Sequence, residues 1–140
     1  MSIYTKIIKL STKGYTDIID ITEQVNEAVK ISGVTDGFTV VFIPGSTGAI
    51  TTIEYESGAL EDLKEAIERL APQSLSYHHD KRWHDGNGFS HVRAAILGPS
   101  VTIPITHGSL HLGTWQQIVL IDMDNRPRDR EIIVKILGET

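Results

Sequence analysis

The 140-residue sequence contains no cysteine. That excludes disulfides, thiol nucleophiles and thiolate ligands, so a metal could be held only by imidazole and oxygen. Long apolar runs are missing too; none approaches the roughly 20 residues a bilayer span requires. The N-terminus carries neither a signal-length apolar stretch nor an Arg-rich transit pattern. These absences set the expectation of a cytoplasmic protein with no membrane partner. Positive charge is in short supply: 13 Lys and Arg stand against 18 Asp and Glu, a formal net charge of −5. This argues against a general nucleic-acid surface, although Arg126, Arg128 and Arg130 cluster closely enough to make a local anion site.

What is present suits a folded domain. Apolar residues make up 40% and charged residues 22%, too apolar for a disordered chain. The length fits one compact domain, residues 1–140, with a core of its own.

Residues 3–10 (IYTKIIKL) are β-branched and end in a Ser-Thr-Lys-Gly turn, which predicts a strand, with residues 15–19 pairing back onto it. Asp20-Ile-Thr-Glu23 resembles a capping box ahead of Val25, Ala28, Val29 and Ser32 at helical spacing, and Gly33 ends that helix. Residues 37–43 and 49–55 read as buried strands around the Pro44-Gly-Ser-Thr-Gly48 bend. Leu60, Leu63, Ile67 and Leu70 predict a second helix, closed by Ala71-Pro72. Beyond it, residues 90–97, 101–105, 109–123 and 131–137 read as strands of an antiparallel meander, the long one bulged at Gly113. The expectation is an α+β fold: a largely antiparallel sheet with two main helices.

The chemistry concentrates in residues 76–98, SYHHDKRWHDGNGFSHVRAAILG. Four of the six histidines, His78, His79, His84 and His91, fall there with Asp80, Asp85 and a turn-forming Asp-Gly-Asn-Gly. A stretch so rich in imidazole and carboxylate adds little to a core, which points to binding or catalysis. His79, His84 and His91 brought together would suit a zinc-like ion with an open position; the alternative is a set of surface histidines in a turn-rich loop. Only one of the adjacent His78 and His79 can face a common centre if the segment is extended. Arg93, two residues after His91, would share its face on a strand and suit a phosphate or carboxylate. Glu54 is a candidate ligand partner or general base, against the simpler reading of a solvated strand end. The 45–48 turn can offer N–H groups and hydroxyls to an anion, although it is no P-loop, lacking the Lys and a following helix. Trp115 and its two following glutamines read as part of a strand, Trp115 as ordinary core or a subunit contact, and the 126–130 arginine stretch as a solvated hairpin.

Several runs resemble the YjbQ family, also called the secondary thiamine-phosphate synthase family. They are YHHD at 77–80, DGNGFSHVRAAILGPS at 85–100, IPITHG at 103–108, LGTWQQIVL at 112–120 and NRPRDR at 125–130, with PGSTGAIT at 44–51 and Glu54 matching more loosely. The resemblance implies a homotrimer with its site near the subunit boundary. The implied activity joins hydroxymethylpyrimidine pyrophosphate to thiazole phosphate with loss of pyrophosphate. It also carries over His79 and His91 as the recurrent histidines, Glu54 as the recurrent glutamate, and Asn87 and Arg93 as the polar and basic positions beside them. The site expected from these readings has Glu54, Asn87 and Arg93 as catalytic residues and His79, His84 and His91 around a divalent metal, zinc or magnesium. Many members have histidine where this chain has Gly45 and Phe89; if either supplies a ligand or proton there, this chain needs another group, such as His84. Metal-assisted phosphoester hydrolysis, with Glu54 as base, and a non-catalytic metal- or ligand-binding trimer are the alternatives.

Overall fold

The structure, a computed structural model, describes residues 1–140. Its elements are β1 (Ser2–Thr12), β2 (Asp17–Asp20), α1 (Thr22–Ser32), β3 (Asp36–Phe42), β4 (Gly48–Ile53), α2 (Ser57–Leu70), α3 (His78–Trp83), α4 (Gly88–Leu97), β5 (Ser100–Thr106), β6 (Ser109–Leu110), β7 (Gln117–Asp122) and β8 (Arg128–Glu139). Every strand pairing is antiparallel. One sheet runs β1-β8-β3-β5-β6 and the other β2-β7-β4.

Side-chain alternation explains why the sheets stack. In β8, Ile132, Val134 and Ile136 point inward between more exposed neighbours, as a period of two requires. They meet Ile118 and Leu120 of β7 and Val25, Ala28 and Val29 of α1 in the larger core. The other face of β7, Val119 and Ile121, joins Ile67 of α2 and Ala94 of α4 in a second core. The small sheet is therefore the middle layer, buried on both faces, which is why β7 reads as a continuous apolar run. No helix is long and apolar enough to cross a membrane.

The α+β class and the antiparallel sheets agree with the sequence reading, but several details differ. There are four helices rather than two. Residues 90–97 are helical, not extended: Phe89 and Arg93, and Ser90 and Ala94, are buried at four-residue spacing, and Ala94-Ala95 favours helix. Residues 17–20 pair with β7, not β1. The stretch 109–123 is broken by an exposed loop through Gly113, Thr114 and Trp115, so β6 and β7 join different sheets and the expected meander does not form. Asp20 does support α1, its carboxylate accepting from the Thr22 N–H at 3.0 Å, without the reciprocal bond of a capping box. Gly33 closes the helix at φ 72°, a left-handed position that suits glycine.

Candidate functional site

Two short helices and a tight reversal build the site. α3 ends on His84 at φ 58°, and Gly86 follows at φ 68°; these left-handed residues turn the chain so that α4 begins beside α3. The approach is close at Gly88, where a Cβ would stand 2.5 Å from that of Tyr77. Lacking one, Gly88 brings its N–H to 2.8 Å from Asp80 Oδ1. The Tyr77 hydroxyl donates to the Pro72 carbonyl at 2.6 Å, fixing the entry to α3.

This packing sets the His79 and His91 rings 4.4 Å apart between centroids, tilted by 45°. His79 Nδ1 lies 3.3 Å from Asp85 Oδ1 and 3.8 Å from Asp80 Oδ1. Donor atoms of His79, Asp80 and Asp85 all lie within 4.8 Å of one another. His79 Nδ1 is itself buried and has no hydrogen-bond partner. An orphaned imidazole nitrogen beside two carboxylates is the donor set that a divalent cation satisfies, and here it contains only nitrogen and oxygen. Lys81 and Arg82 line an open recess along α3 with His78, His79 and Trp83, so positive charge lies next to His79.

A buried ionic network supports the cluster from behind. The Asn87 amide, 8% exposed, sits between two carboxylates: it is 3.4 Å from Asp124 Oδ1, and its other edge, with nitrogen turned toward Asp85, donates at 3.0 and 3.2 Å. Asn125 donates to the Asp85 carbonyl at 2.9 Å. Asp124 Oδ2 accepts from Thr47 Oγ1 at 3.1 Å and from Arg128 Nε at 2.7 Å. Arg130 reaches Asp122 through Nε and Nη2, both at 2.9 Å, and Thr47 through Nη2 at 2.8 Å. Burial works to raise the Asp122 carboxyl, but hydrogen bonds from Arg130, Thr12 and the Asp124 N–H hold it below the ordinary range. At Asp124 burial acts the same way and is overcome by the Asn125 N–H, Arg128 and Thr47. The arginine stretch is therefore no solvated hairpin: Arg128 and Arg130 tie the 44–48 loop to the 122–125 turn.

The expected site residues divide in two. His79, His91 and Asn87 come together. His84 is exposed at the α3 end and is not among the converging donors. Arg93 leaves the α4 face that carries His91; only 5% exposed, it ion-pairs with Glu68 and donates to the Ala71 carbonyl at 2.9 Å and Thr16 Oγ1 at 3.0 Å. The shared His91–Arg93 face disappears because two helical residues differ by about 200° in direction. Glu54 is exposed beyond β4, whose Gly48 end borders His91; six strand residues put these ends roughly 17 Å apart. Asp80 and Asp85 were named only as members of the histidine- and carboxylate-rich stretch, not as donors, and Asp124 behind them was not singled out.

The described family model "UPF0047 protein YjbQ-like" matches residues 6–139. The chain belongs to this YjbQ-like family. A UPF0047 protein of Archaeoglobus fulgidus is 42% identical over 130 residues, covering 93% of this chain and 98% of that one. Another from Methanothermobacter thermautotrophicus is 40% identical over 139 residues, covering 99% and 95%. A crystal structure from Sulfolobus solfataricus, described as a YbjQ-like protein of unknown function, is similar with a TM-score of 0.94, 36% identity and 99% of each chain covered. In this YjbQ-like chain the GTWQ motif is the exposed β6–β7 loop. Gln116 braces it, accepting from the Gly113 N–H at 3.1 Å and donating to Thr52 Oγ1 at 3.1 Å, while Trp115 stands 72% exposed.

Proposed function

We propose that the protein binds a divalent cation at His79, Asp80 and Asp85, with His91 beside them, and acts there on a phosphate-bearing small molecule. The observation that carries this reading is the buried, partnerless His79 Nδ1 facing two carboxylates. His79 and Asp85 would hold the ion; Asp80 would share its Oδ1 between the ion and the Gly88 N–H. When bound, a divalent cation supplies electrostatic stabilisation for phosphate oxygens and a leaving pyrophosphate. The chain's own groups do the rest: Asn87 orients the Asp85 carboxylate, and Lys81 and Arg82 attract the anion.

Within that class we infer the condensation of hydroxymethylpyrimidine pyrophosphate with thiazole phosphate as the reaction to assay first, because both substrates carry phosphate and pyrophosphate departs. The proposed assembly is a homotrimer. Trp115, braced by Gln116 and largely exposed, supplies an apolar anchor of the kind subunit contacts bury. Glu54 follows β4 on this same edge, where Ile53 pairs with Gln117; a catalytic role for it therefore requires presentation to a neighbouring copy.

The test is turnover of the two precursors by the full-length protein, with and without added zinc or magnesium, in wild type and His91→Ala. Cation-dependent product that is lost in a folded His91→Ala variant supports the reading. Absence of product at high protein concentration removes the condensation, and product unaffected by chelation removes the cation.

A further inference from the structure

The 44–48 loop stands apart from the cation cluster, yet it borders the same histidine. Gly45, Ser46 and Gly48 line a recess with His91, Ala94, Ala95 and Pro99. The backbone N–H groups of Gly45, Ser46 and Thr47 make no hydrogen bond within the protein, and neither does the Ser46 hydroxyl. Thr47 accounts for its other polar groups, its carbonyl accepting from the Met123 N–H at 2.8 Å and its hydroxyl engaging Asp124 and Arg130.

Beneath the loop lies Arg130, 9% exposed. Asp122 takes up its Nε and Nη2, which fixes the plane of the guanidinium and leaves Nη1 without a protein partner. That nitrogen points at the loop: a Cβ on Gly45 would stand 3.3 Å from it, and one on Gly48 would stand 3.7 Å from Arg130 Cζ. At Gly45, Nη1 is the one neighbour a Cβ would meet, so this glycine leaves the guanidinium open to the loop surface; at Gly48 the Ile43 side chain is nearer, at 3.1 Å. Successive free N–H groups, a free hydroxyl and a pre-oriented guanidinium nitrogen are what a tetrahedral oxyanion requires.

We propose that the 45–48 loop and Arg130 form an anion subsite that takes a phosphate or pyrophosphate group of the substrate, with His91 as the wall shared with the cation cluster. The ligand then spans two halves of one site, its phosphate on the loop and its reacting end toward His79 and Asp85. This deepens the reading of a phosphate-bearing substrate and rests on it for the identity of the anion.

The experiment titrates inorganic phosphate and, in parallel, pyrophosphate into the full-length, chelator-treated protein, following amide NMR shifts and the melting temperature. Removing Arg130 breaks a buried ion pair and risks unfolding, so the main variant is Ser46→Asp, which puts a negative charge on an exposed loop. Saturable binding that shifts the amides of residues 45–48 and weakens by about tenfold or more in folded Ser46→Asp is the expected result. Tighter pyrophosphate binding marks a diphosphate ligand and equal binding a monoester. Absence of saturable binding by either anion, or equal binding in Ser46→Asp, overturns the subsite. Because the titration is free of metal, its failure leaves the cation reading standing, and a protein that binds phosphate but holds no cation separates the two the other way.

Discussion

His91 and Arg93 lie two residues apart on α4 and serve opposite faces of it: His91 stacks near His79 at 4.4 Å between ring centroids, while Arg93 is buried against Glu68, Ala71 and Thr16. One helix thus carries a candidate-site residue on one side and an anchor to α2 on the other. Thr16, a β-branched residue held at φ 65°, accepts one of the Arg93 bonds, so the anchor also secures a strained turn.

Arg93→Ala should therefore act on stability. Loss of the buried guanidinium leaves the Ala71 carbonyl and the Thr16 hydroxyl unpaired and opens a cavity under α4, at a cost of about 2–3 kcal/mol. Arg93→Lys should recover little of it, because lysine cannot supply the planar donor fork. Denaturant unfolding measures the loss, and the folded fraction should still bind cation. Wild-type stability with abolished binding would place Arg93 in the site instead.

Gly88→Ala should damage the site through packing. The added methyl would meet Tyr77 Cβ at 2.5 Å and Asp80 Oδ1 at 3.1 Å, so α3 and α4 must separate, at about 1–3 kcal/mol. Since His79 and Asp80 ride on α3 and His91 on α4, cation affinity should fall with stability. Unchanged affinity by calorimetric titration would show that the donors do not depend on this contact.

Acid should destabilise the fold through Asp122 and Asp124. Both are held below their ordinary pKa in the folded chain, so in the window below about pH 4 the unfolded chain binds more protons than the native one. Their contribution is complete above that ordinary value and fades as pH falls through the folded values. Melting temperature measured against pH should drop in this window. In Asp122→Asn the protein should be less stable near neutrality and the acid-dependent drop shallower; a drop of unchanged depth would assign it to other carboxylates.

Trp115→Ala should weaken self-association while leaving the subunit folded, because the ring is exposed and touches little of its own core. Light scattering should show trimer in wild type and a shift toward smaller species in the variant. An unaltered trimer would locate the subunit contact elsewhere.

The sequence made the sheets legible where apolar residues alternate or run together, as in β3 and β8, and it made α2 legible through Leu60, Leu63 and Ile67. It obscured α4 because the buried face of that helix carries Ser90 and Arg93, polar residues that break the apolar stripe expected of an amphipathic helix. It joined β6 to β7 because Gly113 can be read as a bulge within one long strand, whereas residues 113–115 form an exposed loop that Gln116 braces. The approach of His79 to His91 was legible from the density of histidines and the family resemblance. The Asp122–Arg130 and Asp124–Arg128 pairs were not, since charges at the ends of apolar runs ordinarily belong to solvated turns and only tertiary burial reveals their partners.

The most direct test of the account is the metal content, by mass spectrometry, of untagged wild-type protein and of the His79→Ala and Asp85→Ala variants. The cluster predicts a near-stoichiometric divalent ion in wild type, lost from both variants while each remains folded. Folded wild-type protein that holds no ion after exposure to zinc and magnesium, or variants that keep a full complement, would contradict it.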